Sequence, residues 1–189
     1  MIIAITGCIG SGKSYVSNLI HQKYGYDVFS SDIIAKKAYE DENIKVKLND
    51  AFECIVNNKV DISIIKSKLN EETIKVLNAI IHPFVIGKIN EIKDNYKEDI
   101  AFVEVPLLFE SNMEHLFDKT IVISTSLKLR HKRIKNRNPL TYKDMLKLER
   151  YQLSNKEKVK RADYVIHSGE DDIKNINEID KTMNLILKK

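Results

Sequence analysis

Gly7-Cys8-Ile9-Gly10-Ser11-Gly12-Lys13-Ser14 matches the pattern G-x-x-x-x-G-K-[ST], and few strings of this length restrict a fold so tightly. The pattern works only where a strand delivers the chain into a tight turn and a helix carries it away. Both are legible here. Met1-Ile2-Ile3-Ala4-Ile5 reads as a short apolar strand, and Ser14 to Tyr24 places Val16, Leu19 and Ile20 on one helical face. The glycines allow successive backbone N–H groups to turn inward around a phosphate, and the helix N-terminus adds donors and a partial positive charge. In such a loop Lys13 reaches the β- and γ-phosphates and the Ser14 hydroxyl takes a Mg²⁺ position. The reading predicts a nucleoside triphosphate site.

Composition narrows the setting. The chain has 189 residues, enough for one α/β domain with appendages, and its 43% hydrophobic and 31% charged residues are those of a globular protein. No apolar run approaches the roughly 20 residues of a membrane helix. Met1-Ile2-Ile3 leads straight into the first strand, so no signal segment is expected. Two cysteines, Cys8 and Cys54, make no disulfide framework, and the expected compartment is the reducing cytoplasm. A net charge of +4 suits small anionic substrates and equally an ordinary Lys-rich surface, and neither nucleic acid nor membrane is expected as a partner. Only five of the 31 basic residues are arginine: Arg130, Arg133, Arg137, Arg150 and Arg161. Arginines kept in one region against a strong lysine bias suit bidentate phosphate contact, or surface ion pairing.

Asp27-Val28-Phe29-Ser30 reads as a second strand, ending in Ser31-Asp32 before an Ile33-Ile34-Ala35 helix start. From Tyr39 to Tyr96 no strand-like alternation is visible, and apolar residues recur at helical spacing. His82-Pro83 is expected to interrupt that stretch, because proline removes a donor and restricts its predecessor. Ile100 to Val105 and Thr120 to Ser124 read as buried strands, and Tyr164-Val165-Ile166 as a last short one before a terminal helix from Asp171 to Leu187. Residues 127–137 and 141–152 are basic and helix-compatible, separated by Asn138-Pro139. Strands alternating with helices predict a parallel sheet covered on both faces.

Ligands of such sheets gather beyond the carboxyl ends of the strands. The loop after the first strand, Asp32 after the second, and Pro106-Leu107-Leu108-Phe109-Glu110 after the third are therefore expected on one rim. Asp32 could accept a proton from an attacking hydroxyl, help to hold Mg²⁺, or cap a helix. The strand at 100–105 ends in Glu104-Val105-Pro106 rather than in aspartate, which argues against a nucleotide-dependent switch.

Taken in order, Ile5 to Ser14, Ser30 to Ala35, Ile81-His82-Pro83, Val105 to Glu110, Arg133-Ile134-Lys135-Asn136-Arg137, Gln152 and Ala162 to Ile166 resemble the dephospho-coenzyme A kinase family over nearly the whole chain. The resemblance implies transfer of the ATP γ-phosphate to the ribose 3′-hydroxyl of 3′-dephospho-coenzyme A, with Mg²⁺. It implies an α/β P-loop kinase whose nucleotide core comprises residues 1–38, 97–126 and 162–189. Residues 39–96 would be a helical acceptor-binding insertion, and 127–161 a basic lid and following helix. ATP is then expected on Gly7 to Tyr15 with Arg133 and Arg137, the latter the lid arginine on the moving phosphate. Asp32 aligns with the family's catalytic aspartate, working with Lys13 and Arg137. His82 is placed at the acceptor or in the core. Pro106, Leu107, Leu108 and Glu110 are placed near the acceptor, Glu110 either facing it or ordering its loop. Three departures stand out: Ser30-Ser31-Asp32 replaces a common Asp-Ala-Asp, Cys8 replaces a loop glycine, and His167-Ser168-Gly169 replaces a turn containing asparagine that contributes to the adenine site.

Overall fold

A computed structural model describes residues 1–137 and 149–188 of the chain. These divide into two compact units, one of Met1–Phe29 with Lys97–Lys189 and one of Ser30–Tyr96.

The first unit is built on a five-stranded sheet. In chain order its strands are β1 (Ile2–Thr6), β2 (Val28–Ser30, at the boundary between the units), β5 (Ala101–Glu104), β6 (Lys119–Ser124) and β7 (Tyr164–His167). They lie in the order β2-β5-β1-β6-β7, and the ladders β1–β5, β1–β6 and β6–β7 are parallel. Every residue of β1 is buried, as befits a central strand covered on both faces. Helix α1 (Lys13–Tyr24) buries Val16 and Ile20 against the sheet, and the C-terminal helix Asp172–Leu187 adds Ile179, Met183 and Ile186 to the same core. The chain order reverses about β1, which puts the glycine-rich turn at a switch point of the sheet.

The second unit is helical apart from one small hairpin. Helices α2 (Ser31–Ala38) and α3 (Glu42–Phe52) both pack on α5 (Glu71–Asn95), with α4 (Ile62–Ser67) before it. Two features differ from the sequence reading. Strands β3 (Ile55–Val56) and β4 (Lys59–Val60) pair antiparallel where only helical spacing was read. The connecting Asn57 and Asn58 take positive φ of 50° and 63°, the conformation that a two-residue hairpin turn demands. Strands of two residues are too short to show alternation. The second difference is at Pro83, where α5 continues without a break. Ile81, Val85 and Ile89 form one buried row across the proline, and this packing offsets the single backbone bond that Pro83 cannot donate.

Among its described residues the first unit also has α6 (Leu127–Arg137) and α7 (Asn155–Arg161), the latter capped by Ser154. The C-terminal helix is α8 (Asp172–Leu187). Asn138-Pro139 and most of the 141–152 segment lie outside the described residues, as does the side chain of Arg137.

Candidate active site

The turn between β1 and α1 is held open by its glycines. Gly12, at φ 98°, is the N-cap of α1 and so puts no side chain over the first-turn donors, which have no intrahelical acceptor. A Cβ there would stand 2.9 Å from Arg133 Nη1; at Gly10, φ 76°, it would stand 2.8 Å from the Arg130 carbonyl. Both positions favour glycine by backbone angle, and Gly10 is further held to it by the close approach of the α6 backbone. The Lys13 ammonium lies across the turn, donating to the carbonyls of Gly7 at 3.0 Å and Cys8 at 3.4 Å.

Beside the turn lies a cavity of about 1000 Å³ whose walls come entirely from the first unit. Gly12, Lys13, Ser14 and Tyr15 line it on one side, Arg133 and Asn175 on another. That is room for a nucleotide.

Arg133 ties three segments together there. Its Nη1 donates to Ser11 O at 2.8 Å, and its Nη2 to Ser168 Oγ at 3.1 Å and Gly169 O at 2.6 Å. Burial draws its guanidinium below the usual arginine value, opposed by Tyr15, Glu170 and Asp172 nearby. The Thr125 hydroxyl, buried, reaches Ser11 O at 2.8 Å and Ser168 O at 2.9 Å. Asn175 grips the Gly169 peptide on both sides, accepting from its N–H at 2.7 Å and donating to its carbonyl at 3.3 Å. The turn at 167–169 is thus ordered by an asparagine projecting from α8. Tyr15 anchors the same helix start through Asp172 at 2.7 Å; burial first, then this bond, raise its phenol above the usual tyrosine value.

Glu104, at the carboxyl end of β5, is the residue that sequence reading passed over. One carboxylate oxygen accepts from Ser14 Oγ at 3.1 Å and the other from Ser17 Oγ at 3.3 Å. The available signal was position, an acid ending the strand beside β1, rather than the aspartate sought there.

The remaining expected residues separate by environment. Cys8 is buried with Sγ 3.8 Å from Leu153 O, and burial raises its pKa against the nearby Arg130 and Lys158 charges. Its side chain is packed inside, against Leu153 O, away from solvent. In the loop after β5, Leu108 is fully buried while Leu107 is 37% exposed, so Leu108 offers no surface to an acceptor. Glu110 accepts from Leu153 N at 2.7 Å and pairs with the fully buried Lys158 at 2.9 Å. Lys158 also donates to Pro106 O at 3.1 Å. These contacts are those of a residue ordering its loop. Arg161 pairs with Glu157 at 3.2 Å, one turn back on α7.

Asp32 and His82 belong to the second unit. The N-cap of α2 is Ser30, whose Oγ accepts from Ile33 N at 3.4 Å, and Asp32 is exposed within the first turn. Capping, one of the roles open to Asp32, is thus performed by Ser30. His82 is half-buried on α5, and desolvation alone lowers its pKa.

The family model described as dephospho-CoA kinase matches residues 1–173. A dephospho-CoA kinase of Fusobacterium nucleatum is 34% identical over 89% of this chain and 90% of its own length. A crystal structure from Thermus thermophilus superposes with a TM-score of 0.88 at 32% identity, covering 99% of this chain and 97% of that one. The dephospho-CoA kinase of Campylobacter jejuni gives a TM-score of 0.64 at 30% identity, covering 100% and 98%. A match through nearly the whole sequence, joined to a phosphate loop and cavity in the arrangement such an enzyme needs, makes this chain a member of the dephospho-CoA kinase family.

Proposed function

We propose that this kinase transfers the γ-phosphoryl group of ATP to the ribose 3′-hydroxyl of 3′-dephospho-coenzyme A, giving coenzyme A and ADP, the final step of coenzyme A biosynthesis. The observation that carries the reading is the triphosphate cradle of the first unit, with Lys13, Ser14 and Glu104 around one helix N-terminus, in a chain of this family.

Phosphoryl transfer asks little covalent chemistry of a protein and much positioning. First-turn amides of α1 and the Lys13 ammonium supply positive charge to the β- and γ-phosphates. Arg133, braced by Ser11 and Gly169, holds the wall of the nucleotide cavity. Arg137, four residues after Arg133 in sequence, is the residue proposed to meet the moving phosphate, with 127–161 as lid. The pair Ser14 Oγ and Glu104 offers hard oxygen donors 3.1 Å apart, which fits Mg²⁺, an ion that takes few protein ligands and completes its shell with water and phosphate. Bound there, Mg²⁺ would neutralise phosphate charge.

Asp32 is proposed as the base that takes the 3′-hydroxyl proton. The freedom of its carboxylate from capping duty supports this. Residues 39–96, with His82, are proposed for the acceptor, together with Pro106 and the exposed Leu107. Two buried free cysteines accord with a reducing cytoplasm, and among the described residues no helix is long and apolar enough to cross a membrane.

A panel of acceptors tests the reading. ADP release from Mg·ATP should be fast with dephospho-coenzyme A and near background with nucleoside monophosphates and shikimate. Preference for either of the latter would reassign the acceptor.

A further inference from the structure

Ile9 is held from outside the phosphate loop on both sides of its own residue. Its N–H donates to Gln152 Oε1 at 3.0 Å. Its carbonyl accepts from Arg130 Nη1 at 3.5 Å, and that guanidinium is buried and ion-paired with Glu149. One residue back, the Cys8 thiol faces the carbonyl of Leu153, and the Leu153 N–H is fixed in turn by Glu110. Gln152 N donates to Glu149 O at 2.9 Å, so Glu149 to Leu153 form one short turn laid along Cys8-Ile9.

This stretch of the loop needs such a hold. Strand β1 ends at Thr6 and α1 begins at Lys13, so neither ladder nor helix fixes Cys8 and Ile9. Gly7 and Gly10 flank them, both with positive φ and both permissive to rotation. Within the loop the Cys8 carbonyl takes Ser11 N–H at 3.1 Å. The polar groups of Ile9 are met instead by Gln152 and Arg130, more than a hundred residues away in sequence. A cradle stabilises phosphate only if its donors already point at the charge before it arrives.

We propose that Gln152 is a positioning residue for the phosphate loop: with the Arg130–Glu149 pair it sets the Cys8-Ile9 backbone, and so presents the loop donors to the triphosphate. The proposal rests on the loop being an ATP site, and adds a residue that does not line the nucleotide cavity.

Full-length protein carrying Gln152→Met or Gln152→Glu tests it, by calorimetric titration with Mg·ATP and by the KM of each substrate. Methionine keeps the length and apolar stem but has no oxygen for the Ile9 N–H; glutamate keeps the oxygen. Gln152→Met should raise the Kd and KM for ATP about tenfold, the loss of one partly buried hydrogen bond. It should leave the KM for dephospho-coenzyme A within twofold, and Gln152→Glu should recover most of the ATP affinity. An unchanged ATP Kd in Gln152→Met, or equal impairment in both variants, would overturn the proposal. If Gln152→Met does not fold, Glu149→Gln, which loosens Arg130, should raise the ATP Kd severalfold, and no change there would overturn it as well. A wild-type protein that binds Mg·ATP yet makes no coenzyme A would fault the acceptor assignment alone, because the Kd comparison needs no acceptor.

Discussion

Cys8 and Asp32 show how one neighbour decides what a side chain can do. A thiol near a helix N-terminus and a lysine ought to ionise easily. Cys8 is 2% exposed, however, and the cost of burying a thiolate exceeds what those charges return, so its pKa rises. Native protein treated with N-ethylmaleimide should therefore leave Cys8 unlabelled with or without Mg·ATP, and peptide mapping should find it modified only after denaturation. Native labelling that Mg·ATP prevents would put the thiol in the site after all. For Asp32, the Ser30 cap removes the structural explanation of its carboxylate. Asp32→Asn should lower kcat by roughly 10²-fold or more, the range of a general base, with substrate KM values little changed and the melting temperature close to wild type. A nearly fully active Asp32→Asn enzyme would deny it the proton-accepting role.

At the scale of elements, α5 carries a titrating group in its middle. Burial lowers the His82 pKa, so the folded state prefers the neutral imidazole. Such a group contributes stability above its unfolded pKa of about 6.5, and that contribution is lost as pH falls through the lower folded value. Urea unfolding at pH 7.5 and pH 5.5 should show a drop in stability on acidification that His82→Gln reduces; an identical drop in the variant would exclude His82 as a source. The same helix marks the limit of local reading. β1, the phosphate loop and α1 were legible because their signals lie within a couple of dozen consecutive residues. Pro83 misled because the row Ile81-Val85-Ile89 outweighs it only once α2 and α3 supply a surface. The hairpin at Asn57-Asn58 was too short to announce itself. In the site, Gly7 to Ser14 and Arg133 could be picked out by type and position. Glu104, Thr125 and Asn175 could not, since each acts through a partner that only the folded sheet brings near, and Gln152, legible as part of the resemblance, shows its partner Ile9 only in the fold. Arg137 was chosen from sequence, and its side chain lies outside the described residues.

At the scale of the whole molecule, the chain leaves the sheet after β2, builds a unit with its own buried residues such as Phe52, Ile65 and Ile89, and returns at Lys97. The triphosphate cradle belongs wholly to the first unit, and the residues proposed for acceptor and proton lie largely in the second. That division suits an enzyme whose donor site is common to many kinases and whose acceptor defines it. The account therefore stands on the acceptor. The most direct measurement incubates purified protein with Mg·ATP and 3′-dephospho-coenzyme A and analyses the product by mass and by phosphorus NMR. The account requires one added phosphate, on the ribose 3′-hydroxyl, with one ADP formed for each coenzyme A. Unchanged dephospho-coenzyme A in the presence of steady ATP turnover, or a phosphate placed elsewhere on the molecule, would contradict it.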